Sequence, residues 1–163
     1  MTTGLNLRIE PVQLEQFSAF ATLFEKLHGF NASLNEKFTL APNWQETLYE
    51  QFLQTYQSDS ALWLLAWNES QPVGMLLLQV PTDSPFVQPS QKSIELVTLY
   101  VEAEFRGTGL AQQLMQVARK WAKSHGASYM NLYVTSQNNR ARAFYRRCGW
   151  HPAQEIWHID LNQ

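Results

Sequence analysis

The chain holds a single cysteine, Cys148, in 163 residues. That excludes an intrachain disulfide and a zinc site built on paired cysteines, and it fits a reducing compartment. The histidines, His28, His125, His151 and His158, stand at no metal-ligand spacing, so no metal is expected. Long apolar runs are missing too: Ala61–Trp67 stops far short of the roughly 20 residues a bilayer span needs. The first residues show no cationic stretch followed by an apolar core, so no secretory signal is expected and a cytoplasmic location is. An excess of basic charge is absent as well. A formal net charge of −2 gives no general attraction to nucleic acid or to an anionic membrane.

What is present is apolar and aromatic. Hydrophobic residues make up 45% of the chain, with six Trp, six Tyr and nine Phe, which is the composition of a packed core and not of a disordered chain. The length fits one domain over residues 1–163. Leu5–Glu10 alternates as a strand does, and Pro11 stops it. Phe17, Phe20, Ala21, Phe24, Leu27 and His28 fall at helical spacing, predicting a helix over about 12–28. Asn43 and Glu46 resemble a capping box opening a second helix, with Trp44, Leu48, Phe52 and Tyr56 on one face. Ala61–Trp67 and Val73–Val80 read as an antiparallel hairpin around the polar Asn68–Gln71. Pro81–Lys92 holds three prolines and reads as a long loop, hence a substrate-facing candidate. Ile94–Val101 is apolar on both faces apart from Glu95, as a central strand is. A third helix follows, ending near Gly126, with Leu110, Leu114, Val117, Ala118, Trp121 and Ala122 as its stripe. A fifth strand over Ala127–Thr135, a fourth helix over Asn138–Arg147 and a last strand over Glu155–Leu161 complete a mixed α/β pattern.

Between the central strand and the third helix lies Arg106-Gly107-Thr108-Gly109-Leu110-Ala111. The glycines permit backbone conformations closed to other residues. The N–H groups from about Gly107 to Ala111 are then able to converge on an anion at the helix start, helped by the helix dipole. Gln112 and Gln113 are neutral where a first turn ordinarily favours acids, and the basic Arg119, Lys120 and Lys123 come later. Two other phosphate loops do not fit. There is no Gly-Lys-Ser/Thr ending, and the third glycine of the dinucleotide fingerprint is missing. Taken alone, the hexapeptide also reads as a plain tight turn.

A second block, Asn138-Asn-Arg-Ala141-Arg-Ala-Phe144-Tyr145 followed by Gly149-Trp150, follows the fifth strand. With the strand and the glycine turn in this order and spacing, residues of about 94–150 resemble the GNAT superfamily of N-acetyltransferases; the N-terminal half resembles it in architecture only. The resemblance implies a single-domain mixed, mostly antiparallel sheet of about six or seven strands, flanked by about four helices and splayed between the fourth and fifth strands. It implies acetyl-CoA as cosubstrate, with the pyrophosphate at Arg106, Gly107, Thr108, Gly109, Leu110 and Ala111. The pantetheine arm is then expected along Leu99, Tyr100 and Val101, with Asn138 and Ala141 also reaching it. The backbone N–H of Leu99 is expected to meet the oxyanion.

Amine acetylation also needs a base and an acid. A substrate ammonium with pKa near ~10 must lose a proton before attack. Glu95, the acid within the central strand, sits where some members carry a catalytic glutamate, and an apolar setting would make its carboxylate a stronger base. It reads equally as a strand-end glutamate facing solvent or paired with a lysine. Tyr145 matches the family tyrosine facing the coenzyme sulfur and would protonate the leaving thiolate; as a core aromatic it would only pack. Arg140, Arg142, Arg146 and Arg147 read as a solvated basic face, Cys148 as a packing residue. The acceptor amine, small molecule, peptide or protein, is expected between the first two helices and the Pro81–Lys92 loop. Phe30, Trp44, Phe52 and Phe86 would line it, and Glu36, Glu46 and Asp83 would attract a cation. A non-catalytic acyl-CoA sensor, O-acetyl transfer and longer-acyl transfer are the alternatives, and a homodimer is open because members are often dimers.

Overall fold

The computed structural model describes residues 5–82 and 84–162. Asp83 lies outside the described residues. The chain divides into two compact units, Met1–Tyr133 and Val134–Gln163.

The first unit is a five-stranded sheet in the order β1-β2-β3-β4-β5. β1 is Leu7–Pro11, β2 Ala61–Asn68, β3 Gln71–Gln79, β4 Ser93–Val101 and β5 Tyr129–Leu132. The first three pairings are antiparallel and β4–β5 is parallel. The β2–β3 hairpin closes tighter than its sequence suggests, at Asn68↔Gln71, with Glu69 at φ 55 making the sharp turn. Alternation along β2 and β3 sorts the core into two faces. Trp63, Leu65, Met75 and Leu77 pack with Phe20, Leu23, Leu48 and Phe52 of α1 (Phe17–Leu34) and α2 (Trp44–Thr55). On the other face, a Cβ placed on Gly74 would meet Ala66 and Leu110, so β3 carries glycine where α3 (Leu110–Ser124) crosses it closely. Leu110, Leu114, Met115, Ala118 and Ala122 are the buried stripe of α3.

Three expectations need correcting here. α1 runs to Leu34, well past His28, because Gly29 is tolerated inside the helix and Asn35 ends it by capping the next turn at Lys37. Asn43 does precede α2, yet its side chain makes no cap, so the capping box is not formed. Phe52, expected in a substrate wall, is fully buried core.

The second unit carries α4 (Asn139–Arg147), capped by the Asn138 side chain accepting from Ala141 N–H at 3.1 Å. The strand expected at Glu155–Leu161 is absent: residues 151–160 have no regular structure. Ile156, Trp157, Ile159 and Leu161 are 84, 86, 80 and 85% exposed. Alternating apolar residues make a strand only when a partner supplies ladder hydrogen bonds, and among the described residues none does. The sheet therefore has five strands and not six or seven. Among the described residues no helix is long and apolar enough to cross a membrane.

Candidate functional site

The glycine turn has the conformation that its sequence demands. Gly107 and Gly109 stand at φ 76 and 86, in the left-handed region. Gly109 is the N-cap of α3, no side chain caps it, and no acid sits in the first turn. The first main-chain bond of the helix is Gln113 N–H to Gly109 C=O at 3.0 Å. The preceding N–H groups, from Gly107 to Gln112, take no backbone partner among the described residues. Thr108 steadies the turn by donating its hydroxyl to Phe105 C=O at 2.6 Å. A run of unpaired N–H groups at a helix start, with the dipole behind it, is a site for an anion.

β4 leads into this turn with one edge open. Its pairing with β5 covers only Ser93–Leu96, whereas β4 continues to Val101. Glu102 N–H bonds Val73 C=O at 2.9 Å, towards β3. Backbone groups alternate along a strand, so those of Val101 and Leu99 point the other way, to the edge that β5 has left. Arg106 marks that edge: its Nε donates to Val101 C=O at 3.1 Å, and its guanidinium lies 5.9 Å from the Tyr100 ring centre. Val101 C=O is thus already engaged, while Leu99 N–H faces the open edge.

The register of β4 on β3 slips once. Leu77 pairs with Thr98 but Leu78 with Leu96, which leaves Val97 as an extra residue, a β-bulge. Its consequence is the placement of Glu95. In a regular strand Glu95 would share a face with Leu99 and Val101. The bulge transfers it to the face of Thr98 and Tyr100, against α1 and α2. There it pairs with Gln79 of β3, whose Nε2 donates to Glu95 Oε2 at 3.1 Å. Gln51 of α2 in turn donates from Nε2 to Gln79 Oε1 at 2.9 Å. Glu95 is half-buried and hydrogen-bonded through an amide, not isolated among apolar groups. Nearby on the same face, Thr98 Oγ1 is buried without a hydrogen-bond partner. Gln51, Gln79 and Thr98 are features that sequence reading missed. Pairing across strands and between a helix and a sheet leaves no local pattern to find.

α1 and α2 enclose a cleft of about 330 Å³, lined among others by Phe24, His28, Phe38, Trp44, Leu48 and Gln51. Phe24 stacks on Trp44 at 5.7 Å between ring centres and packs on His28 at 4.2 Å. Burial holds the His28 imidazole below its ordinary pKa, and its Nε2 is buried without a partner. Of the other residues expected to receive the acceptor, Glu46 lies in the exposed first turn of α2, and Phe86 is 93% exposed.

The second unit holds Asn138, Ala141 and Tyr145. Asn138 Oδ1 accepts the capping bond from Ala141 N–H, which leaves its amide nitrogen for a ligand. Tyr145 is half-buried, with Phe144 and Trp150 rings 5.5 and 5.9 Å away. Burial pushes its phenol up to about 12, with Cys148 a smaller contributor. That is a weaker acid than the ordinary phenol assumed from sequence, and one that stays protonated throughout the neutral range.

Residues 24–150 match the acetyltransferase (GNAT) family, and the chain belongs to it. The match contains both the glycine turn with its open-edged strand and the Asn138–Trp150 block. Among relatives, the mycothiol acetyltransferase of Jonesia denitrificans is 33% identical over 76 residues, 47% of this chain and 24% of that protein. The chain thus spans about a quarter of that relative's length. The aminoglycoside N(6')-acetyltransferase type 1 of Acinetobacter genomosp. 13 is 24% identical over 119 residues, 72% of this chain and 81% of that one. Among solved structures, AAC(6')-Iy in complex with the bisubstrate analogue CoA-S-monomethyl-acetylneamine superposes with a TM-score of 0.75. It is 15% identical, with 97% of this chain and 99% of that one covered, a likeness of fold.

Proposed function

We propose that this chain transfers an acetyl group from acetyl-CoA to a primary amine by direct attack in a ternary complex. The observation that carries the reading is the unpaired N–H run at the start of α3, directly following a strand whose edge opens beyond Leu96. The run suits a pyrophosphate, and the open edge suits an arm carrying amide groups that hydrogen-bond as an added strand does. Gly107, Thr108, Gly109, Leu110 and Ala111 hold the first; Leu99, Tyr100 and Val101 border the second, with Arg106 fixing the strand end. Asn138 and Ala141 carry the family's remaining contacts to the arm.

In the reaction the substrate ammonium gives a proton to Glu95, on the carboxylate oxygen that Gln79 leaves open. The freed nitrogen lone pair attacks the thioester carbonyl carbon, and Leu99 N–H meets the oxygen as charge develops. The adduct nitrogen loses its second proton to solvent as the C–S bond breaks; by the family's pattern the sulfur takes a proton from Tyr145, which regains one from solvent. With a phenol pushed up to about 12, that transfer is favourable only to a thiolate itself destabilised by desolvation. The acceptor is a small-molecule or peptide amine. The aminoglycoside enzyme among the relatives makes such amines the first to try.

Thiol release from acetyl-CoA across a panel of primary amines tests the proposal. Turnover on at least one amine, falling about 100-fold or more in Glu95→Gln at neutral pH, is the expected result. Tight coenzyme binding with no turnover on any amine would instead identify an acyl-CoA sensor.

A further inference from the structure

We propose that Gln79 and Gln51 are positioning residues for Glu95, an inference that rests on reading Glu95 as the base. The three side chains form one directed chain across three elements, α2, β3 and β4. Gln51 Nε2 donates to Gln79 Oε1 at 2.9 Å, and Gln79 Nε2 donates to Glu95 Oε2 at 3.1 Å.

Direction matters because an amide has two unlike ends. An ionised carboxylate only accepts, so Gln79 must turn its NH₂ to Glu95. Gln51 engages the opposite end of that amide, donating to Gln79 Oε1, and so anchors it against Glu95 from behind. With Gln51 in place, Gln79 Oε1 is occupied by a donor and the amide is locked. The lock does two things for a base. It favours the carboxylate over the carboxylic acid, since the hydrogen bond from Gln79 is charge-assisted only with the former. It also fixes which oxygen is engaged and leaves the other for the substrate ammonium.

The surroundings leave this control to the amides. Neighbours of Glu95 by face or register are amides, a hydroxyl and a phenol: Gln79 on β3, Thr98 and Tyr100 on β4, Asn131 on β5 and Gln51 on α2. The charged or titratable groups on the packed elements are Glu46, Tyr49 and Glu50 on α2, Glu25, Lys26 and His28 on α1, and Tyr129 on β5. Lys26 is already paired with Glu102. Among the described residues no ion pair reaches Glu95. The outer end of the chain also lies on the wall of the α1–α2 cleft, because Gln51 lines it. An acceptor seated in that cleft would thus meet the residue that anchors the amide.

The test reads the carboxyl directly and needs no known acceptor. Protein labelled with [5-¹³C]glutamate is titrated by NMR with coenzyme A present, and Glu95→Gln identifies the Glu95 resonance. In Gln79→Leu the carboxyl should bind its proton about tenfold more tightly, moving its midpoint to higher pH. Gln51→Leu, which does not touch Glu95, should move it the same way by a smaller factor. In the double variant the Gln51 change should add nothing, since its effect passes through Gln79. If Gln79→Leu fails to fold, Gln51→Leu alone carries the test, because it lies on the outer helix. A midpoint unmoved in both single variants, or an additive double variant, overturns the amide chain while leaving Glu95 as base. Full turnover in Glu95→Gln on an amine the parent acetylates overturns the base and this proposal with it.

Discussion

At the scale of single residues, chemistry here depends on where backbone irregularities place side chains. Val97 is the clearest case. Its bulge moves Glu95 from the Leu99 face to the face covered by α2, where Gln79 receives it. Strict alternation, the rule available from sequence, assigns Glu95 the wrong neighbours, because a bulge is set by pairing with β3 and not by local residue preference. The glycines are the opposite case: both were legible, since few residues other than glycine adopt φ 76 or 86 readily. Tyr145 was legible as a motif position, but its acidity was not, because burial depends on the packed fold. Tyr145→Phe should lower kcat about tenfold or more with coenzyme Kd changed less than about twofold. Single-turnover kinetics beside calorimetry would check this, and an unaltered kcat would reduce Tyr145 to a packing ring.

At the scale of elements, helix starts divide by what satisfies their N–H groups. α4 is closed by its own Asn138, whereas α3 is left open at Gly109. The side chain of Asn43, before α2, caps nothing. Asn138→Ala should therefore destabilise the fold by about 1 kcal/mol, and Asn43→Ala by no more than about 0.5 kcal/mol. Urea unfolding of the two variants separates them, and equal losses would contradict the cap geometry. The longer elements were readable from periodicity: α2, α3, α4 and the β2–β3 hairpin lie within a few residues of their expected bounds. What failed was the part that needs partners. The Glu155–Leu161 segment has a strand's alternation and no strand beside it, and β5 is shorter than its apolar run because pairing to β4 ends at Leu132.

At the scale of the whole molecule, two properties should appear in bulk measurements. The first is a pH dependence of stability from His28. Its folded pKa lies below the unfolded value near 6.5, through burial. The unfolded chain therefore binds the proton first as pH falls. Stability is full above about pH 6.5 and declines below it, until the folded imidazole also protonates. His28→Gln should lose less stability than the parent between pH 7.5 and 5.5 in urea unfolding; an equal loss in both would place the dependence elsewhere. The second property is coenzyme affinity, on which every later step depends. It is measured by titrating coenzyme A calorimetrically into the parent and into Gly109→Val, with circular dichroism to confirm that the variant is folded. A β-branched residue resists φ 86 although nothing lies within 4 Å of the added Cβ, so the loss must come through the backbone that presents the N–H groups. The expected result is clear binding by the parent and at least about tenfold weaker binding by the folded variant. No heat with the parent, or equal affinity in the variant, would contradict the account.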